Sequence, residues 1–163
     1  MPIFVDHQLQ EQIPRDIFDF PIAFYCDELA DLPNRAGPMH WRPCFEIATA
    51  QNGVLDYQVG QIHTILEPGD SIFVNQNMLH GIRQVSGMEP DHLPIIIFSG
   101  TVIASENSVI YQKYIQPILS CDSLPCVVFR HDSGLWKDVR QRINATYRAM
   151  REQSDCYELV VQR

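Results

Sequence analysis

Between residues 20 and 100 the apolar positions come in short runs broken by turn-forming residues, a texture of strands rather than helices. Phe20 to Tyr25 reads as a first strand, and the loop-rich stretch DLPNRAGP at residues 31–38 follows it. Met39 to Gln51 contains a strand. Asn52-Gly53 then supplies the strongest short hairpin signal, so Val54 to Val59 is expected to return alongside it. Gly60-Gln61 marks another tight turn, and Ile62 to Leu66 runs back. In Glu67-Pro68-Gly69-Asp70, proline fixes φ at the second turn position and glycine accepts a positive φ at the third. Ser71 to Val74, a polar corner at Asn75-Gln76-Asn77, Leu79 to Val85 and Leu93 to Ser99 complete the series. Many short strands joined by tight turns predict a sandwich or barrel.

From about residue 105 the pattern changes to a helical period. Ser105 or Asn107 is expected to cap a helix running towards Ile115, with Pro117 ending it. A longer helix is expected over Ser133 to Glu152. Leu135, Val139, Ile143 and either Thr146 or Tyr147 form its apolar face, and Lys137, Arg140, Arg142, Arg148 and Arg151 its solvated one. Such an apolar face must be buried, which suggests pairing of two subunits. Asp155 and Glu158 are spaced like a capping box for a third helix, still running at Arg163. That ending leads us to expect a truncated helix and a longer parent chain. The organisation read from the sequence is an N-terminal arm at 1–16, a β-rich unit at 17–104 and a helical segment at 105–163.

With 163 residues, 45% hydrophobic and 20% charged, the chain can bury one proper core. Its formal charge of −8 makes it a poor ligand for phosphate backbones. Residues 1–15 do not read as a signal peptide, and the longest apolar run, Leu93 to Phe98, is too short for a membrane span. Five cysteines without a C-x-x-C pair fit a reducing, cytoplasmic setting, with Cys121 and Cys126 read as packed thiols.

The candidate chemistry lies between Met39 and Val85. His40, Arg42, Cys44 and Glu46 alternate and, on one strand, would share a face opposite Trp41, Pro43 and Phe45. Downstream, His80 opens a strand. The segment His40-x-Arg42-x-x-x-Glu46, followed by Gly53, resembles the first cupin motif. Pro68-Gly69-Asp70 with His80 resembles the second. HWRPCFE at 40–46, PGDSIFVNQNMLHGIR at 68–83, Tyr114-Ile115-Gln116-Pro117-Ile118-Leu119 and the closing Tyr157-Glu158-Leu159 together resemble the N-terminal effector domain of AraC-type transcription regulators. The resemblance spans roughly residues 17–163.

That resemblance implies a mainly β fold with C-terminal helices: a cupin-type antiparallel β-barrel (double-stranded β-helix, or jelly roll) followed by a helical dimerisation element. It implies a homodimeric, non-enzymatic sensor of a small molecule, a sugar or an anionic metabolite. DNA would be bound only by a helix-turn-helix domain absent here. The ligand-binding residues would be His40, Arg42, Glu46 and His80, with no metal and no cofactor. Cupin enzymes hold a divalent metal at the corresponding positions, but a guanidinium at Arg42 has no lone pair to give and repels a cation. Two other readings stand beside the sensor: a metal-dependent cupin enzyme, such as an isomerase or dioxygenase, and an empty dimerisation module. The polar residues could equally form a self-satisfied patch at a barrel mouth. Trp41 and Phe45 read as outer-face packing, His63 as solvent-facing, and His7, His92 and His131 as loop residues without evident partners.

Overall fold

A computed structural model describes residues 4–12, 20–85 and 92–162. The strands are β1 (Ile22–Glu28), β2 (Ala36–His40), β3 (Phe45–Thr49), β4 (Leu55–Val59), β5 (Ile62–Leu66), β6 (Ser71–Val74), β7 (His80–Gln84), β8 (His92–Phe98) and β9 (Cys126–Phe129). They form two antiparallel sheets, ordered β1-β8-β3-β6-β9 and β2-β7-β4-β5. Strand 1 pairs with 8, 2 with 7, 3 with 6 and 4 with 5, the nested pairing of a long hairpin rolled into a jelly roll. Leu55, Tyr57, Val59 and Leu66 of one sheet pack on Ala48, Ile72, Val74, Ile95 and Ile97 of the other.

The larger sheet is covered on its second face as well. Ile22, Ile96 and Val102 meet Ile143, Tyr147 and Met150 of helix α2 (Lys137–Glu152), with α1 being Gln116–Leu119 and α3 Tyr157–Val161. A strand buried on both sides needs apolar residues at every position. The continuous run Leu93–Phe98 is therefore central β8, not an alternating edge. Tyr147 anchors the helix by donating its hydroxyl to Pro94 O at 3.1 Å. Among the described residues, no helix is long and apolar enough to cross a membrane.

Several expectations change. Asn52-Gly53 is not a hairpin turn: β3 and β4 belong to different sheets, and the chain crosses between them there. Gly53 lacks the positive φ that such a turn would need. A tight hairpin joins β4 to β5, with Val59 opposite Ile62 and Gly60 at φ 57°, as its glycine predicted. Gly69 at φ 91° and the bond from Asp70 N to Glu67 O at 2.9 Å make the Pro-Gly turn type II. The stretch read as mostly helical contains β9, which pairs with β6. Pro117 does not end its helix. Gln116 N reaches back to Tyr111 O in a π turn just before it, and the helix continues to Leu119. Ser108, rather than Ser105 or Asn107, caps that helix, accepting from Tyr111 N at 3.1 Å. Helix α3 is preceded by Cys156 in a left-handed conformation, with no side-chain cap from Asp155. Helix α3 stops at Val161, with Gln162 as its C-cap, so the expectation that it is still running at this point is not met. Residues 1–3 and 13–16 of the expected arm lie outside those described.

Candidate functional site

The single strand expected over residues 40–46 is two strands in different sheets. β2 ends at His40, the chain turns a corner at Trp41–Cys44, and β3 begins at Phe45. Proline at the corner suits this, since it cannot donate to a ladder. His40, Arg42 and Glu46 nevertheless meet, because the corner carries Arg42 between the two sheets. Cys44 does not join them. It packs against the inner core and lines a separate recess with Gln10 and Pro43, and burial pushes its thiol up to about 12.

His40 and His80 are cross-strand partners, with ring centroids 4.3 Å apart. Each ring donates Nδ1–H to a carbonyl two residues back, Pro38 and Met78, both at 2.8 Å. This leaves His40 Nε2 to accept from the Arg42 guanidinium. Arg42 Nη1 lies 2.6 Å from Glu46 Oε2, and His80 Nε2 lies 3.3 Å from the same oxygen. All four side chains are almost fully buried.

Two further residues belong to the cluster and were not anticipated. Tyr57 donates its hydroxyl to Glu46 Oε1 and stacks on His80, the rings 11° from parallel. Its signal was present: Leu55, Tyr57 and Val59 alternate onto the buried face, and a buried tyrosine hydroxyl needs a partner. Glu11 comes from the N-terminal arm, its Oε2 2.8 Å from Arg42 Nε. The arm is docked by Trp41, whose indole donates to Gln8 O at 3.0 Å and whose backbone exchanges bonds with Leu9 O and Glu11 N. Trp41 is thus an arm clamp, while Phe45 packs on the outer face between Phe73 and Phe98, as expected of it. His63 is exposed beside Asp56. His131 does have a partner, donating its backbone N–H to buried Asp70 at 2.7 Å.

Burial works against every charge in the cluster. It lowers the His40 pKa to about 4, with His80 and Arg42 adding to the effect, so this ring is neutral at physiological pH. Burial also opposes ionisation of Glu46, but Arg42 and His80 outweigh it and hold the carboxylate far below its usual range. Tyr57 is pushed well above its ordinary value by burial and by Glu46. Arg42 Nε, Glu46 Oε2 and His80 Nε2 are held by close charge contacts within the cluster, at 2.8, 2.6 and 3.3 Å.

The cluster forms one end of a cavity of about 190 Å³ between the sheets. Its other walls are apolar, from Tyr25, Leu29, Leu32, Ile82, Leu93 and Ile95, and arm residues Phe4, Glu11 and Gln12 border it. Candidate metal donors on His40, Glu46 and His80 do lie within 4.8 Å of one another. The set does not fit a cation, because the Arg42 guanidinium stands among those atoms, 2.6 Å from Glu46 Oε2.

Two structures of one regulator share the fold. An apo variant of ToxT from Vibrio cholerae superposes with a TM-score of 0.59 at 8% identity, covering 86% of this chain and 51% of that one. ToxT bound to (E)-4-(8-methylnaphthalen-1-yl)but-3-enoic acid gives 0.59 at 10% identity, over 86% and 52%. This chain therefore spans about half the length of ToxT. KdgF from Halomonas sp. matches at a TM-score of 0.40 and 23% identity, over 48% of this chain and 68% of that one. Comparison with curated protein sequences gives no match. The AraC-like ligand binding domain family matches residues 26–132, a span that holds the corner, both histidines and all but one strand pairing in full. Jelly roll, buried Arg-Glu-His cluster and family match coincide on the same residues, and the chain belongs to the AraC-like ligand binding domain family.

Proposed function

We propose that this chain is the effector-sensing domain of an AraC-type transcription regulator, and that His40, Arg42, Glu46 and His80 recognise a small molecule in the cavity between the sheets. The observation that carries the reading is the cavity itself: apolar on most sides, closed at one end by a cluster of buried charges. The domain works as a homodimer in the cytoplasm and controls DNA binding by a helix-turn-helix domain outside this chain. An effector that binds one arrangement of arm and cavity better than another shifts their populations by that difference in affinity. ToxT, of similar fold, is described bound to a small organic acid, which is in keeping with an effector of that size.

The test is thermal stabilisation by a panel of sugars and small organic acids, repeated with Arg42→Ala. A hit at a hundred times its Kd should stabilise by about 2.7 kcal/mol. Its affinity should fall at least tenfold in the variant, and a hit indifferent to Arg42→Ala would overturn the site assignment. The metal-dependent enzyme reading is tested by elemental analysis of the purified protein. One tightly held metal per chain, lost in both His40→Ala and His80→Ala, would revive it.

A further inference from the structure

The guanidinium of Arg42 is surrounded by its own protein. Nη1 faces Glu46, Nη2 faces His40, and Nε faces Glu11 at 2.8 Å. One buried positive charge is thus shared by two carboxylates, and these differ in kind. Glu46 is embedded in β3, held by Tyr57 and nearly inaccessible. Glu11 belongs to the arm, which reaches the body through backbone bonds at Trp41, and its side chain is the more exposed of the two, 12% against 2%. It also lines the cavity.

We propose that Glu11 occupies the cavity's own carboxylate subsite, and that the effector is a small molecule with one carboxylate and an apolar body, which takes the place of Glu11 on Arg42. This deepens the sensor reading and rests on it. A ligand that merely added a carboxylate to the cluster would bring a third negative charge to one guanidinium, in a site that burial already makes costly. A ligand that replaces Glu11 leaves the charge balance unchanged and satisfies Arg42 Nε in the same way. The apolar body follows from the remaining walls, where Leu29, Leu32, Leu93 and Ile95 offer no hydrogen-bonding side chain. The displacement carries a signal of its own. Once Glu11 leaves Arg42, the arm keeps only its attachment through Trp41 and its other contacts. Occupation of the cavity is thereby read out as loosening of the arm.

The experiment compares hexanoate, hexanol and hexylamine as matched probes, by calorimetry on the whole chain and on Glu11→Gln. Glu11 belongs to the N-terminal arm rather than to a strand of either sheet, so the variant is expected to fold, and circular dichroism checks this. The expected result is hexanoate binding at least tenfold tighter to Glu11→Gln than to the unaltered chain, with hexanol affinity changed less than twofold. Hexanoate, and not hexanol, should also alter Trp41 fluorescence in a Trp136→Phe background. Hexanol binding as well as hexanoate, with no gain for hexanoate in Glu11→Gln, would overturn the competition while leaving the cavity a small-molecule site. A preference for hexylamine would reverse the assigned charge. Failure of all three probes to bind either protein would overturn both the inference and the reading beneath it.

Discussion

At the scale of single residues, the cluster sets a pH dependence whose sign follows from burial. His40 has a folded pKa of about 4 against an ordinary 6.5, so the unfolded chain binds a proton that the folded one refuses. The resulting stability is present above pH 6.5 and is lost as the pH falls towards 4, by as much as about 3 kcal/mol. Glu46 acts later. Its carboxyl is depressed below 4.5, so its contribution is lost only as the pH drops beneath that value. Urea denaturation between pH 7.5 and 4.5 should show a steady decline, reduced in His40→Asn, and a flat profile would contradict a buried neutral His40. Tyr57→Phe removes the hydroxyl that donates to Glu46 Oε1. Leaving that buried oxygen without a donor should cost about 1–3 kcal/mol, measurable in the same experiment.

At the scale of elements, helices and loops are fastened to the jelly roll at a few close contacts. Gly100 follows β8 where the segment at residues 111–115 crosses over it. A Cβ built there would stand 2.5 Å from Ile115 Cγ2 and 3.3 Å from the Tyr111 ring. Gly100→Ala should therefore push the segment away and cost about 1–3 kcal/mol, read as a lower melting temperature. Asp70 fastens the other end. It is buried in the turn before β6 and accepts from Glu67 N at 3.0 Å, His131 N at 2.7 Å and Arg130 Nη1 at 2.8 Å. It therefore ties that turn to the loop after β9. Asp70→Ala strands the two backbone donors, Glu67 N and His131 N, while Arg130 keeps Ile65 O at 2.6 Å, and should cost about 2–4 kcal/mol. Arg130→Ala leaves the two backbone donors in place and should cost about 1 kcal/mol, since Arg130 is 43% exposed.

At the scale of the whole molecule, the apolar surface open to a second subunit lies on α3 rather than on the buried face of α2. The amphipathic face of α2 is spent inside the chain, where Ile143, Tyr147 and Met150 lie against β1 and β8, while Leu135, expected on that face, sits in a 3-10 turn before the helix and is 76% exposed. It gives no independent reason to dimerise. Exposed apolar side chains stand instead on α3, at Leu159 (63%) and Val160 (45%). If the chain dimerises as proposed, Leu159→Arg should convert it to a monomer at tens of micromolar in sedimentation, with its circular dichroism unchanged. Wild-type protein sedimenting as a monomer at that concentration would remove the homodimer from the proposal. With a formal charge of −8, the chain alone should not bind double-stranded DNA at physiological salt in an anisotropy titration.

The local chemistry of the chain was sufficient for much of this. Glycine and proline placed the turns at Gly60 and Gly69, and period-two and period-3.6 patterns placed most strands and α2, because those signals depend on neighbours in sequence. His40, Arg42, Glu46 and His80 stood out by type and spacing. What the sequence could not carry was which sheet each strand joins. Asn52-Gly53 has hairpin chemistry, yet β3 finds better partners in β6 and β8, so the chain crosses over instead. Short β9, half-buried throughout, is specified by pairing with β6 rather than by its own pattern. The supposed common face of residues 40–46 came together for a different reason from alternation, a corner between sheets that dropped Cys44 and brought in Tyr57. Glu11 joined Arg42 only because Trp41 draws the arm against the cluster, a contact between distant segments that no local pattern encodes.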